Sequence, residues 1–256
     1  MGQGSSYSHS SFKHDVAVNP ERAPEWLSPL ARHRDIGAES AVSRHLSARS
    51  AAVTSANGGA IPGAKHAAVL MLFSGARGSA SLPEDAGILL THRTPTMRTH
   101  SGQMAFPGGR IDPGDRGPVD AALREAWEET GLDADAVTPL ATLDMVSVRS
   151  NGYPVHPVVA YNHSGAKTWV ASEDETDDVF VASLEELLAP ESRLTVGWGG
   201  WSGPAFRTNG YLVWGFTAAL LAGVFTASGW DIPWHSERIY DLEDALAQSR
   251  NRERHD

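Results

Sequence analysis

The sequence predicts an α/β (α+β) chain organised around a mixed sheet, and three features carry that expectation. Residues 67–73 (AAVLMLF) and 88–93 (ILLTHR) are apolar runs of strand length, each followed by chain punctuated with Gly and Pro. Residues 118–130 read as a helix with Pro118 at its start, where a missing N–H costs nothing, and Gly131 just past its end as a C-cap. Residues 211–227 (YLVWGFTAALLAGVFTA) are apolar or small for seventeen positions and suit a buried core helix; a membrane span wants about 20 apolar residues and usually basic flanks.

The remaining elements follow in order. Residues 1–20, rich in Ser, His and Gly, show no apolar periodicity and are expected to form a disordered tail. Residues 21–64 make an N-terminal extension in which 24–34 could form a short helix and 47–63 reads as a linker or exposed loop. Further strands are expected at 137–148 and 155–161, a short helix at 184–188, and a second disordered tail at 248–256, which leaves 65–247 as the folded domain.

Composition removes several classes of function. The 256 residues contain no cysteine, which excludes a disulfide scaffold, a thiolate zinc site and a cysteine nucleophile, and leaves the cytoplasm as the default compartment. A net charge of -10 argues against a nucleic-acid coat, because phosphate backbones are bound by clustered Lys and Arg. No G-x-S-x-G element precedes a helix, so serine hydrolase chemistry has no support. The acidity is uneven: residues 110–135 hold eight acids against three bases, and 173–191 eight against none, in an otherwise mildly basic chain. Multivalent cations are the obvious reason to keep two such blocks.

The first block contains the helix. Taking Leu123 as 0° and about 100° per residue, Ala126, Trp127 and Thr130 gather with Leu123 on one apolar face, while Glu125, Glu128 and Glu129 fall at about 200°, 140° and 240° on the other. Like charges at i,i+3 and i,i+4 repel, and two of the three stand in the last turn, where the helix dipole disfavours anions. Folding alone therefore does not recommend the arrangement; a solvated acidic face or a hard divalent cation with oxygen ligands remain the two readings.

The loop in front decides between them. The run Leu89-Leu90-Thr91-His92-Arg93-Thr94, then Arg98, Gly102 and Phe106-Pro107-Gly108-Gly109, resembles the signature of the coenzyme A diphosphatase branch of the Nudix hydrolases, with Thr94 standing where that pattern prefers Ser or Ala. Downstream, Arg124-Glu125-Ala126-Trp127-Glu128-Glu129-Thr130-Gly131-Leu132 resembles the second half of the Nudix box. Ala126 departs from the bulky aliphatic usual there. Asp115 takes the place of the first-half Glu, with eight residues rather than seven before Arg124, so its role as a ligand stays open.

The resemblance implies a Nudix fold, with a mixed sheet between helices, and hydrolysis of a nucleoside-linked diphosphate with Mg²⁺ or Mn²⁺. It further implies coenzyme A as the small-molecule substrate, cut to 4'-phosphopantetheine and 3',5'-ADP. ADP-ribose, NADH or an oxidised dNTP are the alternative substrates, and a nucleotide-sensing module without turnover is the alternative from another class. Glu125 and Glu129 are the expected metal ligands, assisted by Gly109; Glu128 is a third ligand or the base that takes a proton from water; Arg124 orients a carboxylate. Arg93 and Arg98 are expected phosphate anchors, because guanidinium binds phosphate bidentately, with Gly108 and Phe106 beside them. Glu175 is a candidate late ligand or base, and His100 reads as a loop histidine. Neither nucleic acid nor a membrane is an expected partner, and a homodimer is compatible with the sequence.

Overall fold

The computed structural model describes residues 15–32, 53–55, 65–97, 99–148 and 153–253. Nine strands form one mixed sheet: β1 (Val53–Ser55), β2 (Ala67–Ser74), β3 (Gly87–Arg93), β4 (Met104–Ala105), β5 (Gly108–Arg110), β6 (Val137–Thr142), β7 (Val146–Val148), β8 (Pro154–Asn162) and β9 (Thr176–Ser183). Helices α1 (Ser28–Arg32), α2 (Pro118–Thr130), α3 (Leu184–Leu188) and α4 (Gly215–Ala227) pack around it, and α5 (Leu242–Ala247) packs on a second, smaller sheet.

The central strand β2 runs parallel to β8 from Ala67–Val155 to Phe73–Tyr161. It meets β3 only at Phe73 and Ser74, and at its other end it pairs instead with β5, Ala68 opposite Gly109. The two strands therefore diverge, and the chain from β4, which stays on β3, to β5, which lies on β2, fills the gap. That crossing delivers the Phe-Pro-Gly-Gly motif to the middle of the sheet.

Strand alternation divides the core between two faces. Ala68, Leu70 and Leu72 of β2, with Leu89, Val158 and Ala160, pack on Val119, Ala121, Ala122 and Ala126 of α2. Met71 and Phe73 point the other way, into a larger cluster with Trp26, Leu27 and Leu30 beside α1 and with Leu220, Leu221, Val224 and Phe225 of α4. Every residue of α4 from Thr217 to Phe225 is buried, as expected of a helix apolar all round. Among the described residues no helix is long and apolar enough to cross a membrane. A second sheet, β10 (Arg193–Trp198), β11 (Trp201–Thr208), β12 (Tyr211–Val213) and β13 (Ile239–Asp241), lies beyond α4.

Several expectations are corrected. Residues 211–227 do not form one helix: β12 ends at Val213, extended Trp214 intervenes, and α4 begins at Gly215. Residues 137–148 form two strands rather than one. The short helix expected within 24–34 is present as α1, entered through a 3-10 turn at Glu25–Leu27, while residues 33 and 34 lie outside the described residues.

Within the described residues, both expected tails are in part docked. Asp15 reaches the start of α2, where its carboxylate accepts from Val119 N–H (2.9 Å) and Asp120 N–H (3.0 Å), and Val16 and Val18 pack on the helix-side core. Asn251, with no exposed surface, pairs through its side chain with Leu212, accepting from its N–H (2.8 Å) and donating to its carbonyl (2.9 Å). A polar composition concealed both, because each segment is held mainly through a few long-range polar side chains rather than an apolar stripe.

Candidate active site

The site begins with how close α2 can come to the sheet. Its alanines let the helix settle on β2 and β5, so its buried face is centred on Ala122 and Ala126 instead of on Leu123 and Trp127. Trp127 is 61% exposed, against its expected place on the apolar face, and Glu129, expected on the outer face, is 3% exposed. Gly131 caps the helix as expected, left-handed at φ 63° with its N–H donating to Trp127 O. The carbonyls of Glu129 and Thr130 accept from Ala171 and Trp169, which brings the acidic loop before β9 alongside the helix end.

Gly108 and Gly109 stand under the helix. A Cβ on Gly108 would lie 2.3 Å from Ala68 O, and one on Gly109 would lie 2.5 Å from the Glu125 carboxyl group. Only glycine leaves room for a carboxylate at the second position and for the β2 backbone at the first. Phe106, expected to contact substrate, is 3% exposed and belongs to the main core, so the aromatic ring anchors the loop from beneath.

Arg124 gathers three carboxylates. Its Nε and Nη2 donate to both oxygens of Asp115 (2.9 and 3.0 Å), and its Nη1 to Glu125 (2.9 Å) and Glu128 (3.1 Å). Nη2 also reaches Arg110 O, which ties the helix to β5. Those hydrogen bonds hold the Asp115 carboxyl below its ordinary range. Asp115 thus serves Arg124 in this structure, which settles where the shifted box residue points. Glu128 is nearly half exposed, at 45% for its side chain, and faces solvent.

Glu125 and Glu129 are shifted the other way. Burial raises the Glu125 carboxyl, against the pull of Arg124, with Glu128 and Glu175 adding to the rise. Burial pushes Glu129 up to about 8; Arg93 and a backbone hydrogen bond from Gly108 oppose the rise, while Glu125 and Glu175 reinforce it. Glu175 itself is exposed, and its carbonyl accepts from Thr94 N–H at 3.0 Å. Arg93, at the end of β3, is half-buried with its Nε hydrogen-bonded to nothing in the structure. Arg98 lies outside the described residues. His100 is an exposed loop residue whose ring meets Gln103 at 3.0 Å.

The site therefore brings together Glu125, Glu129, Glu175 and Arg93, and holds Asp115 and Glu128 through Arg124. Buried Glu129 and partly buried Glu125, the second given room by a glycine, fit a hard divalent cation, which would supply the charge that burial withholds. Among the described residues no three His, Asp or Glu side chains already surround one point, and Glu125 is turned to Arg124.

One residue beside the site carried no role in the sequence reading. His92, fully buried next to Arg93, has its Nδ1 against Asp177 and its Nε2 3.0 Å from both Gly102 O and Asn251 O. A histidine at an inward position of a strand in the signature was the available signal.

A mixed sheet between helices, with a glycine strand set against an acidic helix, places the chain in the α+β class. The NUDIX domain matches residues 65–196, and the chain belongs to the Nudix family. The uncharacterized Nudix hydrolase NudL of Klebsiella pneumoniae (strain 342) is 34% identical over 148 residues, covering 53% of this chain and 71% of the relative. NudL of Cronobacter sakazakii, likewise uncharacterized, is 35% identical over 150 residues, covering 54% and 72%. Among solved structures, the Nudix hydrolase RenU of M. smegmatis is 27% identical at a TM-score of 0.39, covering 53% of this chain and 81% of that one. The protein is thus a Nudix hydrolase acting on a nucleoside diphosphate derivative.

Proposed function

We propose that the protein cleaves the diphosphate of coenzyme A or its derivatives, giving 4'-phosphopantetheine and 3',5'-ADP. The observation that carries the site is Gly109 facing Glu125: the space a Cβ would fill is kept for a carboxylate beside buried Glu129. The substrate assignment rests on the signature from Leu89 to Gly109.

In this reading Glu125 and Glu129 hold Mg²⁺ or Mn²⁺, with Gly109 contributing backbone at close approach. When bound, the cation neutralises the diphosphate oxygens and makes water a better nucleophile. Arg93 receives a phosphate, with Arg98 as a second anchor. Arg124 sets the direction of Glu125 and Glu128, and exposed Glu128, held through one oxygen, accepts the proton of the attacking water through the other, with Glu175 as the second candidate.

Incubation with coenzyme A, ADP-ribose, NADH and dNTPs plus Mg²⁺ or Mn²⁺, with products identified by mass spectrometry, tests the reading. Coenzyme A is expected to have the highest kcat/KM and to yield the two named products. A ranking with coenzyme A among the slowest substrates would overturn it.

A further inference from the structure

The C-terminal residues 249–253 cross the loop that joins β3 to β4, and they do so through specific contacts. Asn251 is tied to β12 through the paired hydrogen bonds of its side-chain amide to Leu212, and its own carbonyl accepts from His92 Nε2. Glu253 accepts from Trp214 Nε1 (2.7 Å) and Asn251 Nδ2 (2.8 Å), and Gln103 Nε2 donates to its other oxygen at 3.5 Å. Arg252 pairs with Asp177, the carboxylate on His92 Nδ1.

Beneath this strap lies Gly102. Its φ is +72°, and a Cβ there would stand 2.4 Å from Asn251 O and 2.9 Å from the Glu253 backbone. The glycine of the signature is therefore required by the strap that lies upon it. Gly102 N–H in turn donates to Arg93 O (3.0 Å), and Arg93 N–H donates to Gln103 O (2.9 Å). Arg93 is thus held on one side by His92, its chain neighbour, and on the other by Gly102 and Gln103, and all three touch the strap.

We infer that the strap, through Asn251 and Glu253, positions Arg93 for substrate, so that residues of the far C-terminus set substrate affinity. This rests on the reading of Arg93 as a phosphate anchor. Asn251 and Glu253 are positioning residues. They act by fixing the backbone on both sides of Arg93. Loosening them lets the guanidinium drift while the carboxylates of α2, carried by another element, stay in place.

The test is a kinetic comparison of the full-length chain with R93A, N251A, E253A, E253Q and the double variant R93A/E253A, on its best diphosphate substrate and below the thermal midpoint of each. E253A and N251A should raise KM about tenfold, a misplacement effect, while kcat stays within about threefold. E253Q, which keeps an acceptor for Trp214 and Asn251, should restore KM. R93A/E253A should be no worse than R93A alone, because both changes act on one contact. An unchanged KM in E253A alongside a raised KM in R93A overturns the strap inference alone, as does a multiplicative loss in the double variant. If N251A does not fold, half-buried E253A carries the same readout. An unchanged KM in R93A overturns the anchor reading instead.

Discussion

Gly109 and Glu125 show how one missing methyl can define a site. G109A places a carbon 2.5 Å from the Glu125 carboxyl group, so the carboxylate must leave its place while the strand and helix around it remain. kcat should fall by about 10²-fold, the loss typical of misplacing a reacting group, with the thermal midpoint nearly unchanged; parallel kinetics and calorimetry check both. E129Q removes a carboxylate but keeps its shape, and the Mg²⁺ concentration for half-maximal rate should rise at least about tenfold. Unchanged turnover at limiting Mg²⁺ would remove Glu129 from the ligand set. Tyr211 offers a measurement independent of the metal. Its hydroxyl donates to Asp178, and burial, reinforced by that carboxylate, raises it to about 12. An acid raised on folding gives stability that is fully present below its unfolded value near 10 and lost as pH rises towards 12. Y211F should flatten that part of the stability profile, read as urea midpoints between pH 9 and 12. The acidic residues of the site were legible from their sequence spacing, but their burial was not. Setting the helix face by its largest apolar residues placed Trp127 inside and Glu129 outside, whereas packing against a sheet follows the small residues Ala121, Ala122 and Ala126.

Helix α2 is bounded by signals of two kinds. Pro118 and Gly131 are local, and both were readable in the chain. The N-cap is not local: Gly117 has no side chain to offer, and the first N–H groups are met by Asp15, whose carboxyl carbon would lie 2.5 Å from any Cβ at Gly117. No local pattern announces a cap supplied from a hundred residues away. D15A should therefore destabilise the protein by about 1 kcal/mol, within the range of lost N-caps, although residue 15 falls in a stretch whose composition reads as a tail. Thermal or urea denaturation measures this directly, and a midpoint equal to that of the parent would mean that Asp15 does not cap α2. The β10–β11 hairpin teaches a different lesson. Its turn, Gly199-Gly200 between Trp198 and Trp201, has positive φ at both glycines, and the sequence reading assigned it no hairpin. Turn chemistry was present there, but the flanking strands alternate too weakly to be read alone.

At the scale of the molecule, the distribution of charge acquires a structural reason. The first acidic block folds into α2 and the turn before it, and the second supplies Glu175 and the Asp177 and Asp178 carboxylates that hold His92 and Tyr211. Three of the eight carboxylates in that second block thus have work inside the fold, which its density in the sequence did not disclose. Around α2 the carboxylates outnumber the arginines that meet them, and burial withholds from Glu125 and Glu129 the water that would stabilise their charge. A ligand that binds only the folded state adds RT ln(1 + [L]/Kd), about 2.7 kcal/mol at a hundred times Kd, which for a chain of this size raises the midpoint by roughly 5–10 °C. Mg²⁺ should therefore raise the thermal midpoint by several degrees, well beyond NaCl at matched ionic strength, since screening alone acts on exposed charges. The cation-specific part should vanish in E125Q/E129Q, whose own midpoint without Mg²⁺ should equal or exceed that of the parent because a buried repulsion has gone. An equal rise with NaCl, or a rise that survives the double substitution, would make the acidic helix a solvated face rather than a cation site.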